Sequence, residues 1–261
     1  MNHFDIAPGT ARPRQAPLEV APATFLIRAV TPSVGESWTN LNSMVIRAAE
    51  PIVVDTGMVT DREQWFEDVF SLVAPDDLRW IFVTHNDSDH SGNMVEALSR
   101  CPNATLVTSP GESFRSHASF GIAHERMRLV GNDEPFCVGD RMLRPVRPPV
   151  YDSPYTRGVF DELTRVYYAS DAFCAPMPDH PVDWVSEIAP ERWAEGSARF
   201  HHASLCPWLS LVDAAAFRAE VDRLARLEID TILSAHSPAI GRESVPRALA
   251  QLASLPGSST D

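Results

Sequence analysis

Short apolar, β-branched runs alternate along the chain with stretches whose apolar residues recur at helical spacing. Runs of the first kind predict strands over 25–30, 43–47, 51–54, 80–84, 105–108, 165–169 and 230–234. Stretches of the second kind predict helices over 61–74, 91–100, 111–119, 213–227 and 243–254. In the first of these helices Trp65, Phe66, Val69, Phe70 and Val73 fall on one stripe, and in the fourth Phe217, Val221 and Leu224 do the same. Each stripe must be buried against another element, so strands alternating with helices imply a layered α/β domain. Residues 172–200 break the pattern. They are rich in Pro and carry Trp184 and Trp193, which predicts an irregular or short-helical insertion over one face.

Composition narrows this picture. A chain of 261 residues with 44% apolar content is large enough to bury a sizeable core. Residues 1–17 mix Pro, Ala and Arg with little apolar periodicity and are expected to form a mobile tail, leaving 18–261 as one domain. That tail lacks the apolar stretch of a secretory signal, and no apolar run reaches the ~20 residues that span a bilayer. The expected location is therefore the cytoplasm, with no membrane partner. A net charge of −13 repels phosphate backbones, so nucleic acid is not an expected partner either. Cys101, Cys137, Cys174 and Cys206 form no CxxC pair and are expected to be buried, reduced thiols without metal or disulfide.

The stretch Ile81-Phe-Val-Thr-His85-Asn-Asp87-Ser-Asp89-His90-Ser-Gly-Asn93 carries the chemistry. An apolar strand ends at Thr84, four metal-capable side chains follow within six residues, and a helical pattern begins just beyond. A strand-to-helix loop can turn such side chains toward one point. His85 and Asp87, like Asp87 and Asp89, are two apart and can share a face of an extended segment. A polar loop capping the next helix through Asp89 or Ser91 is the plainer alternative. The concentration of ligand types directly after the strand favours metal binding.

This stretch resembles the His-x-[His/Glu/Asp]-x-Asp-His signature of the metallo-β-lactamase superfamily. Ile52-Val-Val-Asp55-Thr-Gly57, Tyr167-Tyr-Ala-Ser-Asp171-Ala-Phe173 and Ile229-Asp-Thr-Ile-Leu-Ser-Ala-His236-Ser-Pro follow in that superfamily's order. Ser-Asp-Ala-Phe, the His-Ser-Pro segment and Asn42-Ser-Met-Val-Ile resemble most the oxygen-binding diiron branch, the metal domain of flavodiiron proteins. The resemblance runs from about residue 20 to residue 242. It implies an αββα sandwich of two mixed sheets flanked by helices, with a two-metal site at one edge. By the same resemblance, His85 and Asp87 hold metal one, and Asp89, His90 and His236 hold metal two. Asp171 bridges both, and Asp55 supports the loop without binding metal. A carboxylate can span ions ~3.5–4 Å apart. Three carboxylates with three imidazoles suit iron, with zinc or manganese as alternatives.

One position departs from the family. A third histidine for metal one is expected between the His90 loop and Asp171. Aligning Asp152-Ser153 with the family's Asp-Ser places Pro149 there, which leaves metal one short of a ligand unless water or Asp152 completes it. Candidates for a direct part in the chemistry are Asp89, Tyr151 and His202. His201 is weighed beside His202, because the segment around both resembles a helix near the family's site, and Tyr155 beside Tyr151. His3, His117, His124 and His180 are expected at the surface or in loops. No Gly-x-Ser-x-Gly elbow or phosphate-binding loop is present. No flavodoxin-like, FMN-carrying domain is recognised in these residues.

The expected function is therefore dioxygen binding or activation with oxidoreductase chemistry. Two alternatives stand beside it: a metal-dependent hydrolase of a small ester, thioester or amide, and a non-enzymatic O2 or NO sensor. The expected partners are a small-molecule substrate or O2, a separate reductase, and a second copy of the chain in a homodimer.

Overall fold

Two sheets form the centre of the molecule. The computed structural model describes residues 12–33, 38–176 and 180–257. The first sheet comprises β1 (Leu18–Ala21), β2 (Thr24–Pro32), β3 (Trp38–Ile46), β4 (Ile52–Val54), β5 (Trp80–Phe82), β6 (Thr105–Thr108) and β7 (Met127–Leu129), neighbours in that order. It is antiparallel from β1 to β4 and parallel from β4 to β7. The second comprises β8 (Phe136–Cys137), β9 (Met142–Val146), β10 (Gly158–Asp161), β11 (Val166–Tyr168) and β12 (Thr231–Leu233). Only its β11–β12 pair is parallel. The helices are α1 (Arg62–Leu72), the single turn α2 (Ser88–Ser91), α3 (Met94–Arg100), α4 (Pro110–Phe120), α5 (Pro190–Phe200), α6 (Ala214–Ala225) and α7 (Val245–Ser254).

The period-2 alternation of side chains along a strand turns these sheets into four layers. Met44, Ile46, Ile52, Val54, Phe82 and Val107 point from the first sheet into a shared core with Leu143, Val159, Val166, Tyr168 and Leu233 of the second. Their neighbours Val45, Val53, Ile81 and Leu106 point the other way, onto Trp65, Phe66 and Val69 of α1 and Met94 and Leu98 of α3. On the far face, Phe160, Tyr167 and Ile232 meet Trp193 of α5, Phe217 and Val221 of α6, and Leu252 of α7. An αββα sandwich results, as the sequence resemblance implied.

The structure differs from expectation in several places, among them β1, which the hydrophobic pattern does not predict. Residues 122–161 carry β7 to β10, none of which the hydrophobic pattern predicts. β8 is two residues long, β9 holds Arg144 and Pro145, and β10 opens on a glycine; their identity as strands comes from pairing. The 172–200 region contains a three-turn helix, α5, whose narrow buried stripe of Trp193, Gly196 and Ser197 hides its period. Residues 12–17 are tied down. Arg12 and Arg14 pair with Asp61 and Asp68 of the α1 region, and the Ala16 carbonyl accepts from Arg28 at 2.6 Å. Residues 1–11, with His3, lie outside the described residues. Cys101, Cys174 and Cys206 are buried free thiols, whereas Cys137 is exposed on β8, where side chains alternate between core and solvent. Among the described residues no helix is long and apolar enough to cross a membrane.

Candidate metal centre

The parallel strands bring their C-terminal ends to one edge. Asp55 follows β4, the Thr84–His90 loop follows β5, Asp171 follows β11 and His236 follows β12. Asn42 of β3 fastens the last of these turns, its Nδ2 donating to the Ser234 and Ser237 carbonyls at 2.8 Å each. Asp55 fastens the ligand loop. Fully buried and at φ 60°, it accepts from the Thr84 amide (2.8 Å) and the Thr84 hydroxyl (3.0 Å). Its Oδ2 also lies 2.7 Å from His90 Nδ1. A carboxylate only accepts, so this contact fixes a proton on Nδ1 and leaves Nε2 for the site. His236 is oriented the same way, with Nδ1 donating to the Asn40 carbonyl at 2.9 Å.

Two groups of donors result, sharing Asp171. Around Asp171 Oδ1 stand His90 Nε2 at 2.9 Å and His236 Nε2 at 3.0 Å, with Asp89 Oδ2 3.2 Å from His236. Around Asp171 Oδ2 stands His85 Nε2 at 3.4 Å, itself 3.5 Å from Asp152 Oδ1 and 3.8 Å from Asp87 Oδ2. The triads Asp89–His90–His236, His85–His90–Asp171 and His85–Asp87–Asp152 each bring one donor atom per residue within 4.8 Å of the others. They line a cavity of about 160 Å³ whose remaining wall is Phe200, Ser204 and Leu205.

The donor set fits a pair of cations. His85 Nε2 and both Asp171 oxygens are buried without a hydrogen-bond partner among the described residues. With Nδ1 protonated, the Nε2 lone pairs of His90 and His236 face a carboxylate oxygen at about hydrogen-bond distance, an acceptor against acceptors. Only a cation or added protons relieve that arrangement. In the metal-free protein, protons take the role. Burial disfavours a charged His90, but Asp171, Asp55 and Asp89 outweigh it and hold its pKa well above the ordinary range. His236 is likewise pushed up to about 10, as its contacts with Asp171 and Asp89 overcome burial. Burial would raise Asp89 and Asp171, yet the imidazoles around them hold both well below the usual carboxylate range. Asp152 moves up instead, through burial and the Asp171 charge.

The structure brings together all six residues singled out as ligands and adds Asp152. Pro149 is buried and is not among the cavity's lining residues, whereas Asp152 lines the cavity beside His85. His202 is turned elsewhere, with Nε2 2.9 Å from the Leu255 carbonyl. The Tyr151 ring packs on Trp208 and under the Arg147 guanidinium, outside the cavity lining. Tyr155 stacks with Arg115. His201 is fully buried against the Ser197 carbonyl and Cys174, and burial lowers its pKa to about 4, so it packs as a neutral ring. His117 and His124 stack on each other at an exposed turn, and His180 is exposed. Sequence reasoning missed Phe200, Ser204 and Leu205. Phe200 ends α5, and Ser204 and Leu205 reach the cavity through the π-helical turn, His201–Leu205, that extends it; no local pattern marks such a turn.

Comparison with known proteins agrees with this architecture. The family model described as "ODP family beta lactamase" matches residues 39–237, and the chain belongs to that family. Among curated proteins, it is 25% identical over 188 residues to the type A flavoprotein fprA of Rhodobacter capsulatus, covering 65% of this chain and 43% of that one. It is 19% identical over 216 residues to the flavo-diiron protein FprA2 of Clostridium acetobutylicum, covering 80% and 52%. The chain thus spans about half or less of the length of these relatives. Among solved structures, rubredoxin oxygen:oxidoreductase from Desulfovibrio gigas superposes with TM-score 0.81 at 12% identity, covering 94% of this chain and 62% of that one. The flavodiiron protein from Giardia intestinalis gives 0.77 at 17%, covering 94% and 60%. At these identities the structural likeness establishes the fold.

Proposed function

We propose that the chain is a dinuclear, iron-binding protein that binds or activates dioxygen in oxidoreductase chemistry. The observation that carries this reading is the split carboxylate of Asp171, whose two buried oxygens face two different donor groups without a hydrogen-bond partner. In this proposal His85, Asp87, Asp152 and Asp171 hold metal one, and Asp89, His90, His236 and Asp171 hold metal two. Four carboxylates and three neutral imidazoles, with no thiolate, suit iron or manganese better than a soft-ligand metal. The flavodiiron and oxygen:oxidoreductase names of the relatives support iron and oxygen among the chemistries such a set permits.

Two bound ferrous ions would supply two electrons to dioxygen. The protein's own part is to hold and shape. Asp55 and the Asn40 carbonyl lock His90 and His236 with Nε2 toward the site. Phe200 stacks on His236 with ring centroids 5.9 Å apart and, with Leu205, supplies the apolar part of the cavity wall. The cavity of about 160 Å³ opens to solvent and has room for a small ligand beside the ions. Asp89, partly exposed at the cavity face, lies where an incoming ligand would meet the second donor group. Further turnover needs electrons from a separate reductase, and a homodimer belongs to the same proposal.

The test is anaerobic purification followed by metal analysis and optical spectroscopy on air exposure. Two irons per chain with an oxygen-dependent spectral change support the reading. Two zinc ions with esterase or thioesterase turnover favour the hydrolase. An oxygen-dependent change without turnover in the presence of a reductant favours a sensor.

A further inference from the structure

Glu112 stands out among the groups that the proposed centre does not use. It occupies the third position of α4, three residues after Ser109, whose Oγ caps the helix by accepting from the Glu112 amide. The sequence Ser-Pro-Gly-Glu fits a capping box, in which the glutamate side chain turns back to the cap or faces solvent. Here it does neither. Glu112 is fully buried, its Oε1 accepts from the Ser153 hydroxyl at 3.1 Å and from the half-exposed Arg115 guanidinium at 3.4 Å, and its Oε2 is buried with no partner among the described residues. Burying a carboxyl in this way costs free energy, so a compensating role is expected.

The surroundings point to that role. Ser153 adjoins Asp152, and the 152–155 loop is docked on the first turns of α4 at further points. The Tyr155 ring lies so close to Gly111 that a Cβ there would stand 2.2 Å from ring carbons, and Arg115 stacks on the same ring at 5.2 Å. The same turns hold the other side of metal one. Asn86, between His85 and Asp87, donates from Nδ2 to the Glu112 carbonyl and the Ser116 hydroxyl at 3.3 Å each. One end of one helix therefore braces the loops bearing His85, Asp87 and Asp152, while the metal-two imidazoles His90 and His236 are fixed by Asp55 and Asn40.

We propose that Glu112 is a positioning residue for metal one, its buried carboxyl holding Ser153 so that Asp152 faces His85 across the cavity. Burial pushes the Glu112 carboxyl up, against the Ser153 hydroxyl and the Arg115 guanidinium, which favour its charged form. This inference rests on the dinuclear reading, and one experiment separates the two. Wild-type chain and the variants Glu112→Ala, Glu112→Gln and Ser153→Ala are stripped of metal and titrated anaerobically with Fe2+ alone. Thermal unfolding of each metal-free form is recorded in parallel. Glu112→Ala and Ser153→Ala should weaken the first-site ion by about tenfold or more and leave the second within about twofold, while Glu112→Gln, which keeps an acceptor at the same reach, should restore the first. Should Glu112→Ala fail to fold, Ser153→Ala, which removes one hydroxyl, carries the same comparison. The proposal is overturned if the folded variants bind both ions as wild type does, or if both ions weaken together in step with lost thermal stability. A wild-type chain that binds fewer than two ions overturns the dinuclear reading instead, before any variant is compared.

Discussion

Asp55 Oδ2 lies 2.7 Å from Nδ1 of His90, so the imidazole proposed for metal two is backed by a fully buried carboxylate. Among the described residues His85 has no such backing: its Nδ1 meets the hydroxyls of Thr84 at 3.2 Å and Ser170 at 3.3 Å. A carboxylate behind a histidine raises its basicity, so metal two should be the tighter ion. Asp55→Asn keeps the shape and removes the charge. Competition against a chromophoric chelator should show metal two weakened by about tenfold to a hundredfold, with metal one changed less. Equal weakening of both would contradict the assignment.

Asp152 and Pro149 make a second, paired prediction. Asp152→Ala should empty metal one and leave one ion per chain, because Asp152 stands 3.5 Å from His85 Nε2 on the open side of the cavity. Asp171→Ala should lose both ions and His236→Ala the second. Pro149→His should add nothing to metal one, since Pro149 is buried outside the lining residues. Elemental analysis of the four proteins checks all of this. A Pro149→His chain with raised first-site occupancy would restore the family's histidine to that position and remove Asp152 from the set.

The pH dependence of stability should differ between metal-free and loaded protein. Folding raises His236 from its ordinary 6.5 to about 10, because Asp171 and Asp89 outweigh burial. A pKa raised on folding stabilises the fold fully below about 6.5, and that contribution is lost as pH rises through about 10. Asp89 and Asp171 are depressed, so their contribution is present above about 4 and is lost as pH falls below it. The metal-free fold should therefore be less stable at pH 9 than at pH 6. The loaded protein, in which ions replace those protons, should gain from pH 6 to pH 9 relative to the metal-free form, and loading at pH 7 should release protons. Urea unfolding at the two pH values and proton release on titration are the measurements. A metal-free protein equally stable at both would remove the charge pairing from the account.

Gly92 follows the ligand loop where no side chain fits. A Cβ there would stand 2.5 Å from the Ser88 carbonyl, 2.7 Å from the Gly57 carbonyl and 2.9 Å from the Val59 amide, all backbone atoms. Gly92→Ala should destabilise the fold by about 1–3 kcal/mol, as overpacking does. It should also weaken metal two, because it displaces the turn that carries His90. Denaturant unfolding with metal titration checks both effects.

How much of this was legible in the sequence depended on how locally each feature is encoded. The His85–His90 loop stood out because ligand residue types crowd into six positions after an apolar strand. Asp171 and His236 are single polar residues at strand ends and became readable only through the order of motifs shared with a family. Asp152 precedes Ser-Pro and looks like any turn; its place beside His85 comes from the docking of its loop on α4. Glu112 imitates a helix cap, and only burial distinguishes it. The layers were legible where apolar and β-branched residues form an unbroken run, as in β4 and β12. They were lost in β9 and β10, where Arg144, Pro145 and Gly158 interrupt the run and pairing alone defines the strands.

The central claim, a dioxygen-reactive diiron centre, meets its most direct test in Mössbauer and optical spectra of chain grown on 57Fe and purified without air. The account predicts two irons per chain in similar amount but unequal environments, one in the oxygen-rich set of Asp87, Asp152, Asp171 and His85. Both should be ferrous before exposure and oxidised, with new visible absorption, after it. One iron per chain, or two that stay ferrous in air, would contradict it.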